Sequence, residues 1–455
     1  MKLIIIGAGE VGTNIASRLT MENKEVVIID TNPSALQRIS DSMDVQTILG
    51  SGGNPAVLED ADIKSADILV AVTDSDETNL TACLMTHLLS STTKKLVRLR
   101  DTDYEPYHEM LHEKPPYVDA VINPEIEVAK TVDRLIRLPG VSDLGELAEG
   151  RMVFVGVRIV EDLPVVDVPL HELHTRVDSS LPLIAAIVRN NKLTIPRGGD
   201  TLQINDLVYF ISRKEDFDQA LSIFHRKETS VHQILIAGGG RIGFRLAKSL
   251  EKESVQVKLV EKDPDRATML SEMLEKTIVL QGDGTDQSLL AEENIREMDA
   301  MVTLTDDEES NILASLLAKQ MGVPKTVTRI DKFSYLPLVQ TIGLEQVVSP
   351  RLSAVNSILQ YIRQGKILSS TMIKGEQAEI LEAIALETSD IVNIPLSKLL
   401  FPKDAILAGV IRKDDTIEVP NGDTVIHPDD RVIVFAKSTA IAKVEKFLSV
   451  KLEFF

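Results

Sequence analysis

The chain has 455 residues, of which 44% are hydrophobic, and a formal net charge of -20 at pH 7. Its length predicts roughly three domains, each large enough for a sizeable core. The acidic charge argues against a nucleic-acid partner and against electrostatic docking onto anionic lipid, because both need clustered Lys and Arg. The single cysteine, Cys83, excludes an intrachain disulfide and a multi-cysteine metal site. No apolar run approaches the ~20 residues of a membrane span and the start lacks signal-peptide features, so we expect a cytoplasmic protein.

The chain opens on a short Ile-rich run, Lys2–Ile6, which predicts a buried parallel strand. Three glycines spaced as Gly-x-Gly-x-x-Gly follow directly. In such a loop Gly7 makes the tight turn, Gly9 lets the backbone approach a pyrophosphate, and Gly12 lets the next helix pack closely. The first N–H groups of that helix then face the phosphates. The candidate cofactor-binding residues here are Gly7, Ala8, Gly9, Glu10, Val11 and Gly12.

A second predicted strand, Glu25–Asp30, ends in an acid. Counted from Gly12, Asp30 lies about where nucleotide-binding folds place the Asp or Glu that accepts hydrogen bonds from ribose hydroxyls. An acid there repels a 2′-phosphate, so Asp30 favours NAD-type or adenine nucleotides over NADP. The alternative interpretation is a structural glycine turn followed by an ordinary strand-end Asp.

Predicted helices and strands then alternate, which indicates an α/β fold with a doubly wound parallel sheet and ligands beyond the carboxyl ends of its strands. The predicted strands are 45–49, 68–72, 96–98 and 119–125, and the predicted helices are 33–43 and 77–89. The second helix is apolar at Leu80, Leu84 and Leu88, and this pattern predicts that Cys83 is a buried core thiol.

Several polar residues follow the predicted strands of this sheet. The hydroxyl of Thr73 could bond a ribose or phosphate, or it could cap the next helix. The acids Asp74, Asp76 and Glu77 are most simply charges of the helix's first turn, with a phosphate-bridging divalent ion as the alternative. Arg98 ends a strand, where its guanidinium could pair with phosphate bidentately.

The pattern of the chain changes at about residue 149, after a linking stretch at 135–150. Short β-like runs at 152–160, 183–188 and 206–211 are separated by turns rich in Pro and Gly, which is typical of a small mixed unit.

The first pattern begins again at residue 233. One constant offset relates Gly7, Gly9, Gly12 and Asp30 to Gly238, Gly240, Gly243 and Glu261. This register indicates an internal duplication with two nucleotide-binding units. Arg241 lies inside the second glycine loop and could meet phosphate, so we expect the two sites to differ in charge preference. The candidate cofactor-binding residues of the second copy are Gly238, Gly239, Gly240, Arg241, Ile242, Gly243, Glu261, Thr305 and Arg329.

The end of the chain repeats the small unit, with runs at 380–386, 406–411 and 431–435 after a second linking stretch at 361–377. The predicted order is therefore large, small, large, small. A dehydrogenase needs a proton donor beside its nicotinamide, usually His, Lys, Tyr or Asp, and neither small unit offers such a constellation; the only nearby histidines, His171 and His174, lie in a polar turn bounded by Pro. The chain also lacks Gly-x-x-x-x-Gly-Lys-[Ser/Thr], which excludes a P-loop. We therefore expect a sensor with no catalytic residues and no metal site.

The residues Gly7 to Gly12 with Asp30, followed by the stretch 66–79, resemble the potassium-conductance regulator (RCK, or KTN) domain. The doubled arrangement of N-lobe, C-lobe, N-lobe and C-lobe is similar to the peripheral subunits of bacterial and archaeal Trk potassium-uptake systems. One departure is Ser51-Gly52-Gly53, where the family has Gly-Asp after the third strand, as the second copy does at Gly282-Asp283.

The resemblance implies two Rossmann-like N-lobes at 1–135 and 226–362, with small α+β C-lobes at 136–225 and 363–455. It implies that the N-lobes bind NAD(H), with ATP or ADP as further candidates. The implied sites are Gly7 to Val11, Asp30, Thr73 and Arg98 with Asp74 alongside, and Gly238 to Ile242, Glu261, Thr305 and Arg329.

The resemblance also implies a homo-oligomeric ring, most simply a tetramer, on the inner face of the cell membrane. There it would gate an integral-membrane Trk potassium-transporting subunit. Two other functions stay open at this point: an NAD-dependent oxidoreductase, which shares the glycine fingerprint, and a nucleotide-sensing scaffold without a transporter.

Overall fold

The structure is a computed structural model that describes residues 1–21, 24–138, 140–159, 163–175, 181–226, 229–332, 335–344, 346–362, 367–373 and 377–448. Its first sheet has six parallel strands in the order β3-β2-β1-β4-β5-β6, which is the doubly wound order that the sequence predicts. The strands are β1 (Lys2–Ile6), β2 (Glu25–Asp30), β3 (Gln46–Leu49), β4 (Ile68–Ala71), β5 (Lys94–Arg98) and β6 (Ala120–Ile122). The helices are α1 (Glu10–Met21), α2 (Pro33–Ser42), α3 (Pro55–Asp60), α4 (Asp76–Leu89), α5 (His108–Glu113) and α6 (Pro124–Arg137).

The first small unit is a five-stranded antiparallel sheet in the order β10-β9-β11-β8-β7, followed by a short α-helix. Its elements are β7 (Val141–Leu147), β8 (Met152–Arg158), β9 (Leu183–Arg189), β10 (Lys192–Thr194), β11 (Leu207–Arg213) and α7 (Phe217–Ile223). The linking stretch predicted at 135–150 thus contains strand β7, which pairs with β8 from Val141 to Leu147. Val160, at the end of one predicted run, and Pro139 lie outside the described residues.

The second large sheet repeats the first, in the order β14-β13-β12-β15-β16-β17. Its strands are β12 (Gln233–Ala237), β13 (Gln256–Glu261), β14 (Ile278–Gln281), β15 (Ala300–Thr303), β16 (Thr326–Arg329) and β17 (Gln346–Val348). Its helices are α8 (Arg241–Leu250), α9 (Pro264–Met273), α10 (Gln287–Glu292), α11 (Glu308–Gln320), α12 (Leu336–Thr341) and α13 (Pro350–Ile362). The duplication seen in the sequence is therefore a duplication of structure.

The second small unit has a sheet in the order β18-β19-β22-β20-β21. Its elements are β18 (Ile367–Ile373), β19 (Ala378–Ile384), β20 (Ala405–Ile411), β21 (Ile417–Glu418), β22 (Arg431–Lys437) and α14 (Ile441–Leu448). Strand β18 lies inside the predicted linking stretch 361–377, of which residues 363–366 and 374–376 lie outside the described residues. The two small sheets share one apolar core, in which Tyr209 and Phe435 are fully buried with their ring centroids 6.3 Å apart.

The chain forms two compact units, and their boundaries cut across the repeats. One unit contains Met1–Glu127 with Pro350–Gln364, and the other contains Val128–Ser349 with Gly365–Phe455. Helix α13 follows the last strand of the second sheet but packs on α1 in the first unit. Conversely, Val132 and Ile136 of α6 lie in the core of the second unit. This placement of α6 and α13 was not predicted from the sequence.

Local signals explain most element boundaries in the large sheets. Pro33 is the first residue of α2, and the side chain of Asn32 accepts hydrogen bonds from the first turn, as expected of an N-cap. Strand β1 is buried along its length apart from Lys2, which fits a central parallel strand. Cys83 is buried as predicted, but Leu88 on the same helix is 68% exposed. Every described helix is too short or too polar to cross a bilayer.

Candidate functional site

Each glycine loop follows the first strand of its sheet and turns sharply into a helix. Gly7 and Gly238 have φ angles of +113° and +107°, a region that favours glycine. A Cβ on Gly12 would lie 1.9 Å from the carbonyl oxygen of Gly7, and one on Gly243 would lie 2.0 Å from that of Gly238. These four glycines are therefore required for the turn and for the close approach of the helix.

The middle glycine of each loop has a different environment. A Cβ on Gly9 or on Gly240 would meet no heavy atom within 4 Å, so the backbone faces open space at both positions. The side chains of Val11 and Ile242 are 5% and 4% exposed and pack inward. Any anion at these helix starts would therefore be bound by backbone N–H groups and not by the side chains of Val11 and Ile242.

The acid at the end of each second strand closes the adjacent glycine loop. Asp30 Oδ2 accepts a hydrogen bond from the N–H of Ala8 at 2.6 Å, and Glu261 Oε2 accepts one from Gly239 at 2.8 Å. The other oxygen of each carboxylate accepts from the N–H two residues further along the chain. A carboxylate has about four acceptor positions, so both acids keep capacity for hydroxyl donors of a ligand.

The predicted threonines lie beside the glycine loops but are tied to a residue that sequence reasoning missed. Thr73 Oγ1 lies 2.7 Å from Asn79 Oδ1, and the same oxygen accepts from the N–H of Thr73 at 2.9 Å. The amide nitrogen of Asn79 donates to the carbonyl oxygens of Thr73 and Arg98. Thr305 and Asn311 repeat these contacts. Both asparagines are buried and follow their threonine at the same spacing, which is the signal that could have found them.

The first residues after the threonines begin the next helix. Ser75 and Asp307 are the N-caps of α4 and α11, so the capping role that the sequence left open for the threonines belongs to other side chains. Asp76 is buried, and its Oδ2 accepts from the N–H groups of Arg100 and Asp101 at 2.9 and 2.8 Å. Among the described residues, no cluster of His, Cys, Asp and Glu has the arrangement of a metal site.

Arg98 ends β5 with its side chain only 9% exposed. Its closest ionic contact runs from Nη1 to Asp74 Oδ1 at 4.0 Å, and its buried Nε has no hydrogen-bond partner in the described part of the chain. Burial lowers the pKa of the Arg98 guanidinium, and Glu125 offsets only part of that effect. Arg100 also contacts Asp74, at 3.6 Å. The first site therefore presents two arginines that share one exposed carboxylate.

Arg329 has the same place at the end of β16 but different neighbours. Its Nη1 donates to Asp306 Oδ1 at 2.6 Å, and its Nε and Nη2 donate to Asp331 Oδ2 at 3.1 and 2.9 Å. Burial alone would lower the pKa of Arg329, but Asp331 and Asp306 outweigh it and raise the pKa. Asp331 stands at the position of Arg100 in the first repeat. The positive charge of Arg329 is therefore balanced by two hydrogen-bonded carboxylates, whereas that of Arg98 is not.

A cleft of about 240 Å³ opens at the carboxyl ends of the strands in the second repeat. Its lining includes Gly238, Gly240, Glu261, Lys262, Asp283, Thr305 and Asp306. Thr285 and Lys262 bind the carboxylate of Asp283, and these hydrogen bonds lower the pKa of Asp283 to about 2. The cleft thus joins the predicted loop, acid and threonine of the second copy.

The loop after the third strand is where the first repeat differs from the family pattern. The N–H of Gly50 donates to the carbonyl oxygen of Asp30, and the N–H of Gly282 donates to that of Glu261, both at 2.9 Å. Gly50 is therefore the structural counterpart of Gly282, and Ser51 is the counterpart of Asp283. Both side chains accept from the N–H two residues further on. The first repeat thus keeps the turn but has a neutral hydroxyl where the second has a carboxylate.

The helix starts also differ in charge. Glu10 and Arg241 occupy equivalent positions immediately after Gly9 and Gly240, and both side chains are exposed. The first loop therefore carries a negative side chain where the second carries a positive one.

The chain is a tandem repeat of Rossmann-type domains. Each of these domains has a glycine loop and a strand-end acid, and each is followed by a small antiparallel unit. The TrkA-N domain family matches residues 3–124 and 234–350, and the TrkA-C domain family matches residues 154–225 and 380–449. The chain belongs to the TrkA family, which confirms the resemblance seen in the sequence.

Curated relatives match the chain over its full length. The Trk system potassium uptake protein TrkA of Azorhizobium caulinodans is 38% identical over 460 residues and covers 100% of both chains. TrkA of Halomonas elongata is 36% identical with the same coverage. Among solved structures, the GsuK RCK domain has a TM-score of 0.61 at 17% identity and covers 98% of this chain and 94% of its own. This likeness confirms the predicted fold class.

Proposed function

We propose that this chain is the nucleotide-sensing regulatory subunit of a Trk potassium-uptake system. Support for potassium uptake comes from its full-length relatives, which are named Trk system potassium uptake proteins. The observation that carries the nucleotide part is the pair of glycine loops whose middle glycines face open space beside a strand-end acid. Open backbone at a helix start is what a pyrophosphate needs.

The proposed ligands are NAD(H), with ATP or ADP as further candidates. Solved structures of the same fold include the GsuK channel bound to NAD, at a TM-score of 0.61, and GsuK bound to ADP, at 0.51. Asp30 and Glu261 would accept from ribose hydroxyls and disfavour NADP. Because Arg98 lacks the two carboxylates that hold Arg329, we expect Arg98 to be the more available of these two arginines for a nucleotide phosphate.

The proposed mechanism is gating by differential affinity. The chain would act from the cytoplasmic side as a homo-oligomeric ring, most simply a tetramer, on an integral-membrane Trk subunit. Each nucleotide would bind one ring conformation better than another, and the ring would transmit that preference to the transporter. A coupling of about 1–3 kcal/mol per site, summed over several sites, is enough to switch a population. We propose four lobes, at 1–135, 136–225, 226–362 and 363–455, and no catalytic step in any of them.

The first test replaces the open glycines. We expect Gly9→Ala to abolish nucleotide binding in the first repeat and Gly240→Ala to abolish it in the second. The reason is that each added methyl group fills the space where phosphate would approach, while it clashes with nothing in the fold. Calorimetric titration of the wild-type chain with NADH and with ADP should give two sites in total, each variant should lose one, and the melting temperature should stay within about 2 °C.

Gly199→Ala is the matched control, because a Cβ on Gly199 also meets nothing within 4 Å but lies far along the chain from either loop. Nucleotide binding that survives in the Gly9→Ala, Gly240→Ala double variant would refute the site assignment. The second step is potassium flux in vesicles that contain a Trk membrane subunit. Flux should respond to nucleotide with the wild-type chain and not with the double variant.

A further inference from the structure

Helix α13 brings a cation to the first glycine loop. It begins with Pro350 and Arg351 and packs on α1 in the first unit. The guanidinium Nη1 of Arg351 lies 3.9 Å from Glu10 Oε2, with the two side chains 34% and 59% exposed. Glu10 is the first residue of α1 and follows Gly9 directly. Arg351 is therefore held at the end of the helix where the backbone is open.

The charge at this place is unusual for a phosphate site. An acid at a helix N-terminus interacts well with the helix dipole but repels an incoming phosphate. The second repeat has Arg241 at the position of Glu10 and so carries its own cation. In the first repeat the cation comes from α13, which follows the last strand of the second sheet.

The packing of such a helix does not require arginine. Helix α6 begins in the same way with Pro124 and then has Glu125, an acid, at the position of Arg351. The positive charge of Arg351 thus matches its neighbour Glu10 rather than a shared need of the fold. An exposed ion pair at 3.9 Å is weak, so a phosphate could replace Glu10 as its partner.

We propose that Arg351 is a phosphate-binding residue of the first nucleotide site. Its guanidinium contacts Glu10 and exchanges Glu10 for a phosphate group when a nucleotide binds. The inference rests on the proposed function and adds a consequence to it. Nucleotide binding in the first repeat depends on a helix that belongs in sequence to the second repeat. A shift of α13 would therefore change the affinity of the first site.

The test uses the full chain with Gly240→Ala, in which only the first site is open, and compares ADP with adenosine. We expect Arg351→Gln to weaken ADP binding about tenfold and to leave adenosine binding unchanged, because adenosine has no phosphate. Arg351→Lys should keep most of the ADP affinity. Glu10→Gln should strengthen ADP binding a few-fold, because it releases Arg351 and removes a repelling charge.

Arg151→Gln is the matched control, since Arg151 is similarly exposed and ion-paired, to Asp415 at 2.7 Å. It should leave ADP affinity unchanged. An unchanged ADP affinity in Arg351→Gln, or an equal loss for ADP and adenosine, would overturn the assignment of Arg351, because the second result means that it only supports the packing of α13. Failure of the Gly240→Ala parent to bind ADP would instead overturn the proposed first site itself.

Discussion

The two large sheets end in the same elements but surround them with different charges. In the first repeat Arg98 is buried with an Nε that has no partner among the described residues, and in the second Arg329 makes three hydrogen bonds to two aspartates. One position, Arg100 in the first repeat and Asp331 in the second, accounts for most of this difference. The two repeats thus share the backbone of the site, while the neighbouring side chains differ.

The parts that stayed alike are those that hold the strand ends together. Both repeats have the same four features. The first glycine of the loop has a positive φ, the third packs closely on the first, the strand-end acid accepts a hydrogen bond from a loop N–H, and a buried asparagine donates to the carbonyl oxygen of the strand-end arginine. The parts that differ are exposed or half-buried charges. Shared features should therefore control stability equally in both repeats, and different features should control it unequally.

The largest effect should come from the asparagines, and it should be equal in both repeats. Asn79→Ala and Asn311→Ala each leave buried backbone groups of two strands without partners, at a cost of about 2–3 kcal/mol in the free energy of unfolding. Amide hydrogen exchange at Thr73 and Thr305 should accelerate in the respective variants, because these N–H groups donate to the asparagine.

Gln37→Ala provides the control for the asparagine variants. It removes an exposed amide of α2 that donates a hydrogen bond to Asp41 Oδ1 at 2.7 Å. The free energy of unfolding should change by less than about 0.5 kcal/mol. A large difference between the two asparagine variants would contradict this equality, because it would mean that one repeat does not depend on its asparagine.

The arginines should separate the repeats. Arg329→Ala leaves Asp331, which is 6% exposed, as an unpaired buried charge, so we expect a loss of about 2–3 kcal/mol in unfolding free energy. Arg98→Ala should cost less than Arg329→Ala, because Arg98 makes one long ionic contact and its burial already disfavours its charge. Denaturant unfolding of the two variants measures the difference directly.

A compensating substitution tests the same electrostatic explanation. Asp331→Asn in the Arg329→Ala background should recover part of the lost stability, because it removes the stranded charge. Equal losses in Arg98→Ala and Arg329→Ala would contradict the electrostatic distinction between the sites.

The smallest effect concerns Asp283, whose counterpart in the first repeat is the neutral Ser51. The pKa of Asp283, about 2, lies below the ordinary 3.8, so its ionised form stabilises the fold. This contribution is present above about pH 4 and is lost as the pH falls toward 2. Carboxyl chemical shifts followed by NMR should give this low pKa, and Thr285→Val and Lys262→Gln should each raise it, because each removes a group that stabilises the ionised carboxylate. A pKa near 3.8 in the wild-type chain would contradict the hydrogen bonds to Asp283.

The sequence predicted the strands and glycine loops well because their signals are local. A run such as Lys2–Ile6 is apolar on both faces, and glycine is the residue that tolerates the φ of +113° at Gly7. The constant offset between the two glycine loops needed no contacts to be seen. The linking stretches were predicted less well, since β7 and β18 form only by pairing with strands of the small sheets.

The amino-acid sequence was enough to predict the doubly wound fold, its duplication, and the candidate loops and acids at the ends of β1 and β2. The side chains that surround these loops and acids became known only from the folded structure. Neither the tie between Asn79 and Arg98 nor the ion pair between Glu10 and Arg351 is encoded by short-range spacing, because each joins elements brought together by folding. Periodicity reports the backbone and its buried faces, whereas the electrostatics of a site depends on which charges meet in space.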